Sequence, residues 1–178
     1  LKDCLPEVLR FFMLSTHYRK PINYSDEALD QAKSSLESLY TALRDVSLGV
    51  LDEEHDYVVR FKAAMNDDFN TPEAMAVLFE LAKEINTCKS SGASKAQSLA
   101  AILKYLGNAI GVLVDDAQTF LQQGLVNVDA DKVEALIVAR KQARADKNWA
   151  ESDRVRDELK AMGVVVEDSA SGTTWRVE

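Results

Sequence analysis

One short segment of the sequence concentrates side chains that could bind a nucleic acid. Arg144, Lys147 and Trp149 stand close together between two predicted helices, and Asp153 follows in the second of them. Unpaired RNA bases stack on aromatic rings or on arginine planes, while lysine and arginine hold the phosphates. The carboxylates of Asp153 and Asp168 could accept hydrogen bonds from the amino or imino groups of a base. The segment therefore has the chemistry to read single-stranded RNA, with Trp149 as a stacking platform.

Trp149 also has a purely structural interpretation. Its ring could fill the core between the two helices, with the aliphatic stem of Arg144 lying over it. Composition alone does not separate a core tryptophan from a base platform.

The net negative charge of the chain disfavours binding of a polyanion, but residues 140–147 are an exception. The formal net charge is −8. Within residues 140–147, however, Arg140, Lys141, Arg144 and Lys147 stand against one acidic residue, which leaves a net charge of +3. An acidic protein with such a basic ridge can still bind a polyanion locally.

Recognisable catalytic and metal-binding patterns are missing from the sequence. It contains no glycine-rich phosphate loop, no zinc-ligand spacing and no nucleophile–base arrangement. His17 has no serine, cysteine or carboxylate beside it in a catalytic motif, so we expect it to be structural. The acidic runs 52–54 and 67–68 offer too few convergent oxygens for a divalent cation, and we expect them to be solvated or to cap helices.

Cysteine usage and hydropathy bear on the cellular compartment. Cys4 and Cys88 are too few for a disulfide framework or a zinc cluster, which is typical of the reducing cytoplasm. No apolar run reaches the roughly 18 residues of a membrane span, and no signal peptide opens the chain. Because the sequence begins at Leu1 instead of an initiator methionine, we expect a fragment of a longer cytoplasmic protein.

Residues 65–85 organise the first part of the chain. Within them, Thr71 is a good helix cap, and Pro72 suits the first helical position because its missing N–H would have no partner there. Apolar side chains then recur at three- and four-residue spacing, which predicts an amphipathic helix that ends near Lys89. The turn at 67–69 should hold the preceding helix at a fixed corner.

Other segments of this part carry matching apolar stripes. They predict helices at about 5–14, 25–43, 53–66 and 98–114, followed by a short piece at 115–123. The first of these is apolar nearly all round, so we expect it to be buried. Gly107 and Gly111 would let a neighbouring helix approach closely. These elements predict an antiparallel helical bundle over residues 1–124.

Residues 129–178 have a different pattern. Asn148 and Glu151 form a capping box between two helices. After the second helix, the β-branched segments 164–168 and 173–177 are separated by turn residues, which predicts a β-hairpin. The chain is therefore predicted to be mainly α, an antiparallel helical bundle followed by a small α+β mini-domain of two helices and a β-hairpin.

Three ordered parts of the sequence resemble one protein family. Residues 9–25 are similar to the segment that follows the catalytic domain of cysteinyl-tRNA synthetases, and residues 65–74, MNDDFNTPEA, are similar to a signature in the middle of that family's bundle. Residues 143–163, 167–168 and 172–176 resemble its C-terminal end. The resemblance covers essentially the whole chain, so it is strongly specific.

This resemblance implies that the chain recognises tRNA(Cys) for a catalytic domain that it does not contain. Residues 1–124 would form a bundle of the DALR type along the inner side of the tRNA, and residues 129–178 would meet its anticodon. The parent enzyme would use ATP and zinc, whose motifs are missing here, so we expect no cofactor in this chain and no cysteine activation by it alone. The implied partners are tRNA(Cys) and the upstream catalytic domain, with no membrane and no DNA.

The family's site residues carry over to the matching positions. Arg144, Trp149, Asp153 and Asp168 would read the anticodon bases, and Lys147 would contact a phosphate. A second set of basic residues could face the RNA backbone or the catalytic domain: Arg10, Arg19, Lys20, Arg140 and Lys141.

Two other functions stay open from the sequence. A helical scaffold could bind a protein partner through its exposed faces, and the salt dependence of RNA binding would separate it from a tRNA-binding protein. A related ligase that joins cysteine to an amino sugar shares the bundle, but it would not need residues 129–178.

Overall fold

The computed structural model describes residues 5–89, 92–122, 130–169 and 172–177. Contacts divide the chain into two units, Leu1–Gln118 and Thr119–Glu178. Within the described residues, the elements are α1 (Pro6–Leu14), α2 (Asp26–Leu43), α3 (Asp56–Asn66), α4 (Thr71–Cys88), α5 (Ala93–Ala109), α6 (Ala117–Gln122), α7 (Ala130–Ala145), α8 (Trp149–Ala161), β1 (Val164–Ser169) and β2 (Gly172–Val177). The mainly α fold class, with two helices and a hairpin at the end, is confirmed.

Helix α4 lies at the centre of the first unit and packs against α2, α3 and α5. The apolar face that its spacing predicts is buried, and Leu78, Leu81 and Ile85 have no exposed surface. Each such side chain contributes about 1.5–3 kcal/mol when it leaves water. This face therefore supplies much of the stability of the bundle.

The start of α4 differs from the prediction by one residue. Asn70 is the cap, because its side-chain oxygen accepts the backbone N–H of Glu73 at 3.4 Å. Thr71 is the first helical residue instead of the cap, and its side chain is buried. Both residue types cap helices well, so the sequence did not choose between them.

Two other helices begin or end at residues that differ from those predicted. Helix α3 begins at Asp56 and not near residue 53, because a ring nitrogen of His55 accepts the N–H of Tyr57 and caps the helix.

Helix α5 spans Ala93–Ala109 and not 98–114, since the chain takes a positive φ at Gly111 and again at Leu113. After that reversal Leu113 packs on Gly107, where an added Cβ would lie 2.7 Å from its Cδ1. Gly107 thus makes room for a folded-back leucine.

Helix α1 is not buried on all sides, although its apolar composition predicted that it would be. Met13 is 55% exposed, whereas the acidic residue Glu7 is buried. The Glu7 carboxylate accepts the hydroxyl of Tyr40 at 2.9 and 3.0 Å and the backbone N–H of Leu113 at 2.6 Å. The Tyr40 oxygen in turn accepts the N–H of Asp115 at 3.2 Å. This Glu7 network joins α1, α2 and the segment after α5.

The second unit has a small core under its hairpin. Strands β1 and β2 pair antiparallel, from Val164 opposite Val177 to Ser169 opposite Gly172. Trp175 is 2% exposed, and its ring N–H donates to a carboxylate oxygen of Glu134 on α7 at 2.7 Å. The buried apolar side chains of this core are Val133, Ile137, Val155, Leu159, Val164 and Trp175.

Limited proteolysis is expected to separate a bundle from the mini-domain. The predicted junction, residues 124–131, lies mostly outside the described residues, so the division into 1–124 and 129–178 stays a prediction. Since linkers between units carry few contacts, we expect cleavage there and a stable fragment of about 125 residues, identified by mass spectrometry. Cleavage within residues 71–85 before the junction would contradict this division.

Candidate nucleic-acid interface

The corner between α7 and α8 is fixed by backbone hydrogen bonds and a helix cap. Lys147 has a φ of 58°, a left-handed conformation that lysine rarely adopts. The N–H of Asn148 donates to the carbonyl of Ala143 at 2.8 Å, and its side chain accepts the N–H of Glu151 at 3.2 Å. The corner is therefore held by hydrogen bonds on both sides, and the side chain of Lys147 is exposed.

Trp149 is the first residue of α8 and is 61% exposed. A tryptophan that filled the core would be nearly inaccessible, as Trp175 is in the hairpin. The interpretation of Trp149 as a core residue is thus wrong, because its side chain is mostly exposed. The tryptophan in the core of this unit is Trp175. An exposed indole beside cationic residues is able to stack on an unpaired base.

The basic ridge is only partly on the surface. Lys141, Arg144 and Lys147 are exposed, whereas Arg140 is half-buried. The single acidic residue of the ridge, Asp146, accepts the side-chain amide of Gln142 at 3.0 and 3.1 Å. The ridge therefore keeps an excess of positive charge next to Trp149.

Of the two predicted acidic residues, the structure describes the side chain of one. Asp153 lies one turn after Trp149 on the same face of α8, and its carboxylate is 3.4 Å from the guanidinium of Arg156. Asp168 stands opposite Thr173 in the hairpin, and its side chain lies outside the part of the chain that the structure describes. The α7–α8 corner and the helical turns beside it therefore contain four of the predicted residues: Arg144, Lys147, Trp149 and Asp153.

The second basic set is divided between the two units. In the first unit, the Arg10 guanidinium donates to the carbonyl of Gly111. Arg19 lies against Asp68, with its Nε 2.8 Å from one carboxylate oxygen, while Lys20 is exposed. Two of these three cations are therefore engaged within the bundle.

Asp68 holds the segment that follows α1 against the corner between α3 and α4. It accepts the hydroxyl of Tyr18 at 2.7 Å and a guanidinium N–H of Arg19 at 2.9 Å. The hydrogen bond from Tyr18, with that from Arg19, lowers the pKa of Asp68. The ring of His17 stacks on Tyr18, and its Nε2 lies 4.0 Å from Asp68, so His17 belongs to the same anchor.

An exposed apolar surface adjoins this anchor, and we name its three members, Met13, Tyr18 and Phe69, the apolar corner. They are 55%, 59% and 64% exposed, respectively. Asp68 and Phe69 both have positive φ, at 53° and 52°. The three side chains line a concavity of about 540 Å³ together with residues that include Ile110.

Arg156 was not singled out from the sequence, although it stands beside Asp153 on α8. It lies three residues after Asp153 and seven after Trp149, a spacing that places all of them on one helix face. That spacing was the available signal. Among the described residues, no group of three or more histidine, cysteine or acidic side chains could hold a metal ion, and no helix is long and apolar enough to cross a membrane.

Comparisons with known proteins match both parts of the chain. Residues 60–114 match the DALR domain, and residues 130–176 match the cysteinyl-tRNA ligase anticodon binding domain. The chain is 56% identical over 173 residues to the cysteine–tRNA ligase of Azotobacter vinelandii and 54% identical to those of Pseudomonas aeruginosa and Methylococcus capsulatus. These matches cover 97% of the chain but only 38–39% of the length of those relatives.

Proposed function

Because the chain belongs to the family of cysteine–tRNA ligase C-terminal regions, we propose that it binds tRNA(Cys) and its anticodon. Aminoacylation with cysteine would be carried out by the remaining part of the ligase, which would also hold the ATP and zinc. The observation that carries this proposal is the exposed Trp149 at the fixed α7–α8 corner, between the cationic ridge and Asp153.

Each side chain of the corner would have a separate task. Trp149 provides a flat apolar face for one unpaired base, which is tolerant of sequence because every base has a π-face. Lys147 and Arg144 attract the phosphates, which fixes the register of the strand. Base identity then depends on Asp153, because an ionised carboxylate only accepts hydrogen bonds.

Asp153 would select a base both by hydrogen-bonding the matching base and by repelling other bases. A base that presents an amino or imino group donates to the carboxylate, whereas a base that presents a carbonyl or ring nitrogen repels it. Sites built to hydrogen-bond one partner discriminate strongly against partners that leave them unpaired. The side chain of Asp168 would add a second acceptor, as the family resemblance implies.

The bundle would contribute less charge to RNA binding than its basic residues suggest. Arg10 and Arg19 are engaged by Gly111 and Asp68, so attraction of a phosphate would have to compete with these contacts. Lys20 is exposed and remains the candidate for a backbone contact among the three.

The apolar corner supports a contact with the remaining part of the ligase. A phenylalanine in the left-handed region costs about 1–2 kcal/mol, and Phe69 keeps most of its ring in water. The adjacent cation, Arg19, is neutralised by Asp68, which suits a protein surface better than a phosphate chain. The relatives are long enough for such a contact, since 61–62% of their length lies outside the match.

RNA binding is tested with this chain and the anticodon stem-loop of tRNA(Cys). We expect saturable binding that weakens when the loop bases are replaced, with log affinity falling against log salt by about 0.7 per neutralised phosphate. Lys147→Ala should reduce that slope by about 0.7 and weaken both loops equally, because a phosphate contact carries no base information. The readout is isothermal titration at several salt concentrations.

Lys62 provides the matched control, since it is an exposed lysine on α3 of the bundle. Lys62→Ala should leave affinity and salt slope unchanged. No binding of either loop would favour the protein-interaction scaffold, and equal affinity for native and substituted loops would remove the claim of anticodon recognition.

A further inference from the structure

The exposed face of α8 continues beyond Trp149 and Asp153 to Arg156. We propose that Arg156 is a positioning residue that holds the Asp153 carboxylate in place and neutralises it beside the RNA phosphates. The inference rests on the proposed function, because it assigns to Arg156 a role in the same anticodon site.

The geometry of α8 places the three side chains in a row. Trp149, Asp153 and Arg156 follow each other at four- and three-residue spacing, which on a helix means successive turns of one face. The Nη1 atom of Arg156 is 3.4 Å from Oδ1 of Asp153. Both side chains are more than 60% exposed, so an RNA strand stacked on Trp149 can reach them.

The positive charge of Arg156 would offset the negative charge of Asp153 next to the RNA phosphates. A carboxylate that reads a base must sit close to the phosphates of the same strand, and like charges at that distance repel. Arg156 cancels the charge of Asp153 while leaving its oxygens able to accept hydrogen bonds. The site can then use a carboxylate to read a base without losing affinity for the strand.

The guanidinium of Arg156 also faces a second carboxylate. Its Nε lies 3.8 Å from Oδ1 of Asp157, so two nitrogens of one planar group face two different carboxylates. A guanidinium has five N–H groups in a fixed plane, whereas a lysine ammonium is a point charge on a flexible stem. We therefore expect the orientation of Asp153 to require the planar guanidinium of Arg156 and not only its positive charge.

Arg154 on the same helix is the natural comparison. It lies two residues from Arg156, about 200° around the helix. Its guanidinium binds Glu151 at 2.7 and 2.9 Å and Glu158 at 3.0 Å, all within α8. Arg154 thus has the same side chain, a similar exposure and equally acidic neighbours, but it does not contact Asp153.

The experiment compares Arg156→Gln, Arg156→Lys and Arg154→Gln in the full chain. Each is titrated with the anticodon stem-loop of tRNA(Cys) and with stem-loops in which one loop base is replaced. We expect Arg156→Gln to bind the native loop about tenfold more weakly and to lose most of its preference over one substituted loop. Arg156→Lys should recover affinity through its charge but not the preference, and Arg154→Gln should match the unaltered chain.

A double-mutant cycle with Asp153→Asn shows whether Arg156 acts through Asp153. If it does, the variant with both substitutions binds no more weakly than the weaker single variant. Thermal melting of all variants should be unchanged, since exposed ion pairs of this spacing contribute little to stability.

Three results would overturn the proposal. One is an Arg156→Gln that binds like Arg154→Gln, and another is a loss equal for all loops and additive with Asp153→Asn, which would mean a phosphate contact only. A third is an Arg156→Lys that fully restores the preference between loops. The unaltered chain separates a failure of this proposal from a failure of the proposed function. If the unaltered chain does not distinguish the loops at all, the proposed function itself fails. If it does distinguish them and one of the three results is found, only the role of Arg156 fails.

Discussion

Replacing Trp175 by alanine is expected to unfold the second unit, because the substitution removes the largest side chain of its core. Truncating a buried tryptophan typically costs about 3–5 kcal/mol. The ring of Trp175 is 2% exposed and also donates to Glu134, which would lose its partner. A core formed by about 50–60 residues has little stability to spare. Amide hydrogen exchange should show protection lost throughout α7, α8 and the hairpin but kept in the bundle.

Trp149→Ala is the matched control for that result. Its ring is 61% exposed, so we expect little change in stability. Affinity for the anticodon stem-loop should instead fall by about 1–3 kcal/mol, the usual loss for one stacked base. Equal destabilisation by the two substitutions would contradict the division of roles between the tryptophans. Unchanged RNA affinity of Trp149→Ala would contradict the base platform.

Glu7→Ala is expected to destabilise the first unit by about 2–5 kcal/mol, because two buried donors lose their acceptor. These donors are the Tyr40 hydroxyl and the Leu113 N–H, and neither can reach water without opening the bundle. The measurement is urea unfolding followed by circular dichroism. Glu54→Ala, which removes an exposed carboxylate, should leave the midpoint unchanged.

The Glu7 network should also affect how the stability of the first unit declines at alkaline pH. Burial and the neighbouring Glu7 raise the pKa of Tyr40. A raised pKa in the folded state means that the unfolded chain loses this proton first, so the contribution of Tyr40 is complete below pH of about 10 and is lost as the pH rises further. Tyr57, whose pKa burial and Glu84 raise to about 12, adds to this loss. Tyr40→Phe should flatten the alkaline decline, and an unchanged decline would count against the network.

Local patterns predicted those parts of the fold that depend on neighbours in sequence. The buried face of α4 follows from helical spacing, and the Asn148 cap follows from residues three apart. The burial of Glu7 does not, because its partners lie 33 and 106 residues away. The end of α5 was missed for another reason: the apolar spacing continues past residue 109, whereas the backbone turns at Gly111 and Leu113 and folds Leu113 back onto Gly107.

The candidate site divides in a similar way. Residue spacing predicted that four residues lie at one corner, because they belong to two consecutive helices and the turn between them: Arg144, Lys147, Trp149 and Asp153. The sequence did not show which tryptophan is in the core, because both are equally apolar and only the strand pairing puts Trp175 under α7 and α8. The partnership of Asp153 with Arg156 is local, but charged pairs at this spacing are common on helices, so it did not stand out.

The distribution of the tryptophans makes the chain its own optical reporter. There are two tryptophans, both in the second unit, so indole emission from this protein comes from that unit even in the presence of the bundle. One indole is in solvent and the other is in an apolar core, so their emission maxima and their access to acrylamide differ. A base that stacks on Trp149 shields the quenchable ring, whereas unfolding of the hairpin shifts the emission of Trp175 to longer wavelength. Occupancy of the corner and integrity of the core can therefore be followed in one cuvette, without a label.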